Sequence, residues 1–382
     1  MSGYLLVLLV AAAVTYLGTP VARRVAERTG AMTPLRERDV HSVPTPRLGG
    51  LAMFAGLAAS FLVADAIPFF EPVFDSTQGP WGILGAAGLV ALLGVLDDIW
   101  NLDSITKLAG QVLAAGLLAW QGVQFVTLPL GGVTVGSGGL FLFLTVAAVV
   151  VTINAVNFID GLDGLAAGVM AIAGGAFFVY AYMLTREASP DDYSSLAAIV
   201  AAAMVGCCVG FLPHNVHPAR IFMGDSGAMQ LGLLLAASAI AVTGQVDPAV
   251  VSDARLVPAF FPVLLPLAVL VIPVADLLLA VARRVRAGQS PFEADRRHLH
   301  HRLLDLGHSH LRAVGVMYLW TAVLSFGAVI GGFVPPRIWL PSWLAVALVT
   351  LALTLGPLGV GRFGGPREHQ REPVGPDARH RL

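Results

Sequence analysis

Long apolar runs separated by short polar stretches dominate the 382-residue chain. A membrane-crossing helix needs about 20 mostly apolar residues. Eleven runs approach that length: 3–22, 48–66, 81–96, 106–122, 138–157, 162–184, 193–212, 226–243, 258–281, 313–333 and 338–360. The third and fourth are the shortest. The pattern predicts an all-α polytopic membrane protein of about eleven transmembrane helices. The first run is not a cleaved signal peptide, because Arg23 and Arg24 follow the apolar stretch instead of preceding it. Between the fourth and fifth runs, Val, Leu and Thr alternate around Gly131-Gly132, which predicts a small extracytoplasmic β-hairpin over 124–136.

Basic residues orient the spans. With the N-terminus outside, 20 of the 23 Lys and Arg fall in inside segments, and only Arg186, Arg255 and Arg337 fall outside. An even number of spans would break this partition. The C-terminus is then cytoplasmic. Residues 1–360 read as one integral membrane domain, and the Gly/Pro/Arg-rich stretch 361–382 as a disordered tail.

Composition narrows the function classes. Hydrophobic residues make up 56% and charged residues 12%, against roughly 25% charged in a soluble domain. A soluble enzyme, a disordered protein and a fibre are excluded. The net charge of -1 lacks the basic excess of a nucleic-acid binder. Cys207 and Cys208 are sequence neighbours in an apolar run, so no disulfide framework is expected.

Four polar clusters interrupt this apolar background: Leu96 to Ile99, Asn154 to Asp163, Pro213 to Gly227 and His298 to Arg302. All four lie on the cytoplasmic side of the topology set by Arg. Asp97, Asp98, Asp160, Asp163 and Asp225 have no obvious basic partner at helical spacing, and acids at span ends are costly unless paired, hydrated or metal-bound. A divalent cation is the simplest neutraliser. Asn154, Asn157, Asp160 and Asp163 recur every three residues and form one polar stripe on a helix. Hydrogen bonding between helices accounts for the Asn residues but not for the acids. Gly-Leu-Asp-Gly at 161–164 and Met-Gly-Asp-Ser-Gly at 223–227 each open a span at the cytosolic face, where helix N–H groups suit phosphate oxygens.

The 283–312 loop carries seven Arg and five His. It reads as a juxtamembrane basic loop drawn to anionic lipid, as a zinc site with unfamiliar ligand spacing, or as a polyphosphate-binding loop. The last suits acids that need a metal and an anion together. The whole pattern points to phosphoryl transfer between a soluble phosphorylated donor and a lipid acceptor. An ion-coupled transporter is the remote alternative, but it predicts midplane acids and inverted repeats.

Asp97-Asp98, Asn154 to Gly164 (NAVNFIDGLDG), Phe222 to Gly227 (FMGDSG), His298 to Arg302 (HLHHR) and His41 to Gly50 (HSVPTPRLGG) together resemble the polyprenyl-phosphate N-acetylhexosamine-1-phosphate transferases, glycosyltransferase family 4. The resemblance covers nearly the whole chain. It implies a helical bundle with a cytoplasmic cleft in the plasma membrane. It further implies transfer of a sugar 1-phosphate from a UDP-sugar to undecaprenyl or decaprenyl phosphate with release of UMP, as the first membrane step of a cell-envelope glycan. Mg²⁺ is the implied cofactor, with Mn²⁺ as a substitute, and a homodimer is compatible with it. By motif, Asp225 resembles the principal metal ligand, supported by Asp97 and Asp98. Asp97, Asp98 and Asp160 resemble catalytic acids. Asn157, Asp163, Asn215, Phe222, His298, His300, His301 and Arg302 resemble donor-binding residues. His-Leu-His-His-Arg, and Arg47-Leu48 before Gly49-Gly50, depart from the peptidoglycan-precursor branch and favour UDP-GlcNAc over UDP-MurNAc-pentapeptide. Direct attack by the acceptor phosphate and a covalent route through an Asp both remain open.

Overall fold

The computed structural model describes residues 1–33, 44–125, 129–130, 133–134, 137–188, 193–243, 286, 303–304 and 306–356. Within them the chain is a bundle of antiparallel helices: α1 (Ser2–Thr29), α2 (Gly49–Asp65), a short α3 (Glu71–Ser76), α4 (Gly79–Trp100), α5 (Ser104–Trp120), α6 (Gly138–Ile159), α7 (Leu165–Ala188), α8 (Leu196–Asn215), α9 (Gly224–Thr243), α10 (His310–Phe333) and α11 (Pro336–Leu355). A bilayer offers the backbone no hydrogen-bond partners, so helices that satisfy their own amides are the natural solution for such apolar runs.

The expected count of eleven spans is corrected. Among the described residues, eight helices are long and apolar enough to cross a membrane. They become nine if α2 is joined across its 90° bend to the helical segment Pro68–Asp75. The fourth run folds as α5, only 17 residues long. The ninth run, 258–281, and the tail 361–382 lie outside the described residues. The expected hairpin over 124–136 is corrected as well. The strand residues there are Pro129–Leu130 paired antiparallel with Val133–Thr134, a two-residue ladder too short to count as a β-element of the fold.

α9 is the centre of the bundle, packed by α2, α4, α6, α7 and α8, with nearly every residue buried. Glycine makes this packing possible. A Cβ at Gly94 of α4 would collide with the backbone nitrogen of Ser226, so α4 and α9 touch backbone to backbone. By contrast, Thr350 is the one buried residue of α11, which turns its Leu and Val side chains outward. One end of the bundle is closed by an aromatic cluster. Tyr4 meets Phe69, Phe70, Phe178 and Tyr182 edge-on, and its hydroxyl donates to the Tyr193 carbonyl at 2.7 Å. The polar motifs gather at the other end.

Candidate active site

The polar end is assembled from connections between helices. α4 and α5 form a tight helical hairpin. Asn101 ends α4 in the left-handed region (φ 51°), and Asp103 caps α5 by accepting the Ile105 and Thr106 N–H groups, each at 3.0 Å. These bonds and that of the Thr106 hydroxyl hold the Asp103 carboxyl below its ordinary pKa, the hydroxyl most strongly. The Asp97 Oδ1 accepts the Leu102 N–H at 2.8 Å and ties the connector down. The hairpin returns Lys107 to Asp97, with Nζ 2.7 Å from Asp97 Oδ2 and 3.0 Å from Asp225 Oδ2. One ammonium thus bridges two carboxylates on α4 and α9.

Asp98 has a different job. Its carboxylate accepts the Asp225 and Ser226 N–H groups at 3.2 and 3.4 Å. It caps α9 from another helix and satisfies donors that would otherwise be orphaned. The first N–H groups of α9, expected to face phosphate, are occupied by Asp98. Gly224 precedes them at φ 70°, where a Cβ would strike the Arg47 carbonyl and Asp98.

Two motifs far apart in sequence are joined here through backbone. Phe222 donates to the Pro46 carbonyl at 2.8 Å, Gly49 donates to the Phe222 carbonyl at 3.0 Å, and Gly50 to that of Met223 at 2.9 Å. Arg47 rides on this ladder, with Nε donating to Thr33 Oγ1 at 3.0 Å, and its charge acts on Asp98, Asp160 and Asp225. Asp160 follows the last turn of α6, half-buried. Burial pushes its carboxyl up to about 7, and the negative charge of Asp225 adds to the rise.

The remaining expected residues divide by role. Asn215 is buried. Its Oδ1 accepts the Gly164 N–H and its Nδ2 donates to the Ile221 carbonyl, each at 3.0 Å, so it ties the two motif loops to each other. Asp163 turns to the α8–α9 connection, where Oδ2 lies 2.7 Å from His217 Nδ1 and accepts the Ala219 N–H at 3.1 Å. Phe222 and Asn157 are half-buried. Asn154 donates to Gln111 Oε1 at 2.7 Å, a bond between α6 and α5 of the kind expected for that stripe. His298, His300, His301 and Arg302 lie outside the described residues.

The structure therefore brings Asp97, Asp98 and Asp225 together, sets Asp160 within electrostatic reach, and directs Asp163 to a neighbouring cluster. Sequence reasoning missed Lys107, Arg47, His217 and His310. The acids Asp97 and Asp225 have no basic partner at helical spacing, as expected, but they share Lys107, which is remote in sequence. The one available signal was Lys107 itself, the only Lys among 23 basic residues. His310 leads α10 and joins Asp163 and His217, their three ligand atoms lying within 4.8 Å of one another.

Residues 80–243 match the profile of glycosyl transferase family 4. A curated relative from Mycobacterium tuberculosis, a decaprenyl-phosphate N-acetylglucosaminephosphotransferase, is 43% identical over 92% of this chain and 88% of its own length. A probable undecaprenyl-phosphate N-acetylglucosaminyl 1-phosphate transferase from Bacillus subtilis is 31% identical over 87% of this chain and 85% of its own. A phospho-N-acetylmuramoyl-pentapeptide-transferase from Desulforudis audaxviator is 37% identical, but over only 53% of this chain and 64% of its own. Near-full-length similarity to these enzymes shows that the chain belongs to glycosyl transferase family 4, as a polyprenyl-phosphate N-acetylglucosamine-1-phosphate transferase.

Proposed function

We propose that the protein transfers N-acetylglucosamine 1-phosphate from UDP-GlcNAc to a polyprenyl phosphate, giving polyprenyl-diphospho-GlcNAc and UMP. Near-full-length similarity to enzymes named for this transfer carries the reading. The greater identity to the decaprenyl-phosphate enzymes favours decaprenyl phosphate as acceptor.

An oxygen of the acceptor phosphate attacks the β-phosphorus of the donor. A new P–O–P linkage forms, the bond between the α- and β-phosphates breaks, and UMP leaves with its electron pair. A phosphate monoester has a second pKa near 6, so the nucleophile is already largely ionised. The site's task is positioning and charge neutralisation.

Asp97 and Asp225 are the residues that would hold Mg²⁺. They are hard oxygen donors on separate helices, already turned toward one cation, the Lys107 ammonium, and oxygen donors are what Mg²⁺ requires. Bound there, the metal supplies Lewis-acid stabilisation of the pyrophosphate charge. Lys107 and Arg47 hold phosphate oxygens. Asp98 fixes Asp225 by capping α9. Asp160, whose carboxyl pKa is raised by burial, is placed to hold a proton beside a phosphate oxygen. Asn157, Asp163 and Phe222 bind the nucleotide, with the Phe222 ring as a stacking platform, and Asn215 holds their loops in register. The site faces the cytoplasm of a plasma-membrane protein, which is where UDP-sugars are available.

The test is Mg²⁺-dependent UMP release by the purified protein with decaprenyl phosphate, comparing UDP-GlcNAc, UDP-GalNAc and UDP-MurNAc-pentapeptide. Release with UDP-GlcNAc alone is the expected result. Release only with the pentapeptide donor, or with none of the three, overturns the assignment.

A further inference from the structure

The loop that carries Asp160 and Asp163 ends at Gly164, which sits in the left-handed region at φ 75°. Both peptide groups flanking its Cα are held. The Gly164 N–H donates to Asn215 Oδ1 at 3.0 Å. Its carbonyl starts the helical ladder of α7 by accepting the Gly168 N–H at 3.0 Å. The same carbonyl accepts a second bond, from the Tyr318 hydroxyl of α10 at 2.5 Å. α7 is shaped to admit that phenol. A Cβ at Gly168 would lie 2.1 Å from both the hydroxyl oxygen and Cζ of Tyr318, so the missing side chain of Gly168 is the slot in which the ring lies. Elsewhere the ring is loosely contained, because Tyr318 also lines a cavity of about 1010 Å³ bordered by Ile172, Leu319 and Leu353. The slot and the hydroxyl bond together fix it.

A phenol in an apolar span needs a partner for its O–H. Tyr318 takes a carbonyl that α7 already uses, one residue from Asp163. Glycine is the most pliable joint a loop can end on. Asn215 restrains the rotation on the N-terminal side of Gly164, and Tyr318 with the Gly168 N–H restrains that on the C-terminal side. We propose that Tyr318 is a positioning residue of the donor subsite: by clamping Gly164 it sets the loop from which Asp160 and Asp163 meet the UDP-sugar. The inference rests on the reading that Asp163 binds the nucleotide. Loss of the hydroxyl leaves the Gly164 carbonyl with only the Gly168 bond, in the first turn of a helix, where ends fray. The donor is then held less well, and the lipid acceptor, which this loop does not hold, is unaffected. α10 lies outside the 80–243 segment that matches the family profile, so the chain beyond that segment completes the donor side.

The experiment uses the full chain in detergent micelles. Tyr318→Phe keeps the ring and removes only the hydroxyl. Its KM for UDP-GlcNAc should rise about fivefold, the scale of one lost neutral hydrogen bond, while its KM for decaprenyl phosphate stays that of the wild type. Tyr4→Phe is the control. It removes another tyrosine hydroxyl bond, at the far end of the bundle, and should lower the Tm without moving either KM. Gly168→Ala, which drives a methyl group into the phenol, should raise the donor KM at least as far as Tyr318→Phe does. Deuterium exchange reads the clamp without turnover: amides over 160–168 should exchange about fivefold faster in Tyr318→Phe than in the wild type. An unchanged donor KM, equal rises in both KM values, or unchanged exchange over 160–168 each overturns the inference. If the wild type turns over no UDP-sugar, the transfer reading falls, and the exchange comparison alone decides whether Tyr318 holds the loop.

Discussion

Lys107, the chain's one lysine, places its ammonium group between two carboxylates that belong to different helices. Without it, Asp97 and Asp225 would face each other as bare like charges. Lys107→Met should cut UMP release at saturating Mg²⁺ by about 100-fold or more, the scale of losing one preorganised charge contact. Lys107→Arg should recover only part of that, because a planar guanidinium cannot occupy the same compact position. Equal rates for the wild type and Lys107→Met would remove Lys107 from the site. The acids were legible in the sequence because charge inside an apolar chain stands out. Their partners were not, because Lys107 reaches Asp225 only through a hairpin and a helix contact spanning 118 positions. The sequence offered His298 to Arg302 for phosphate and, although it marked the Pro213 to Gly227 cluster, gave His217 within it no role.

At the scale of elements, the site depends on how closely α4 and α9 approach. Gly94→Ala forces a methyl group into the Ser226 backbone. It should destabilise by about 1–3 kcal/mol and lower activity by shifting Asp97 away from Asp225. Thermal unfolding in detergent reads the first effect and UMP release the second. Asp98→Ala removes the cross-helix cap of α9 and should cost about 1 kcal/mol. An unchanged Tm would mean that other groups satisfy those donors. Helix existence followed directly from the apolar runs. The span count did not, since the length of an apolar run does not fix whether it folds as a full-length helix, as one of 17 residues such as α5, or as one that bends as α2 does. The close approach of α4 and α9 was likewise hidden, because a glycine in an apolar run gives no hint of what it touches.

The molecule as a whole is polarised, with charge and hydrogen-bonded loops at one end and the aromatic cluster around Tyr4 at the other. The Arg distribution in the sequence predicts that the polar end faces the cytoplasm. An impermeant thiol reagent tests this in intact cells and inverted vesicles. Cys207 and Cys208 are buried and should give little background. Cysteine at the exposed Ser104 position (Ser104→Cys), beside the site, should label only in inverted vesicles. Thr77→Cys, exposed at the far end, should label only in intact cells. The reverse pattern would invert the topology. This polarity was the most legible property of the chain, because it rests on summed composition rather than on any single contact.

The backbone ladder between residues 46–50 and 222–223 also dictates an order of biogenesis. The early strip emerges from the ribosome long before its partner has been synthesised. Asp225 has neither its cap nor its counter-cation until α4, α5 and α9 have all been inserted. A nascent chain arrested before residue 223 therefore carries several membrane-embedded acids and no working centre. Catalytic competence therefore waits until α9 has been made and packed against α4.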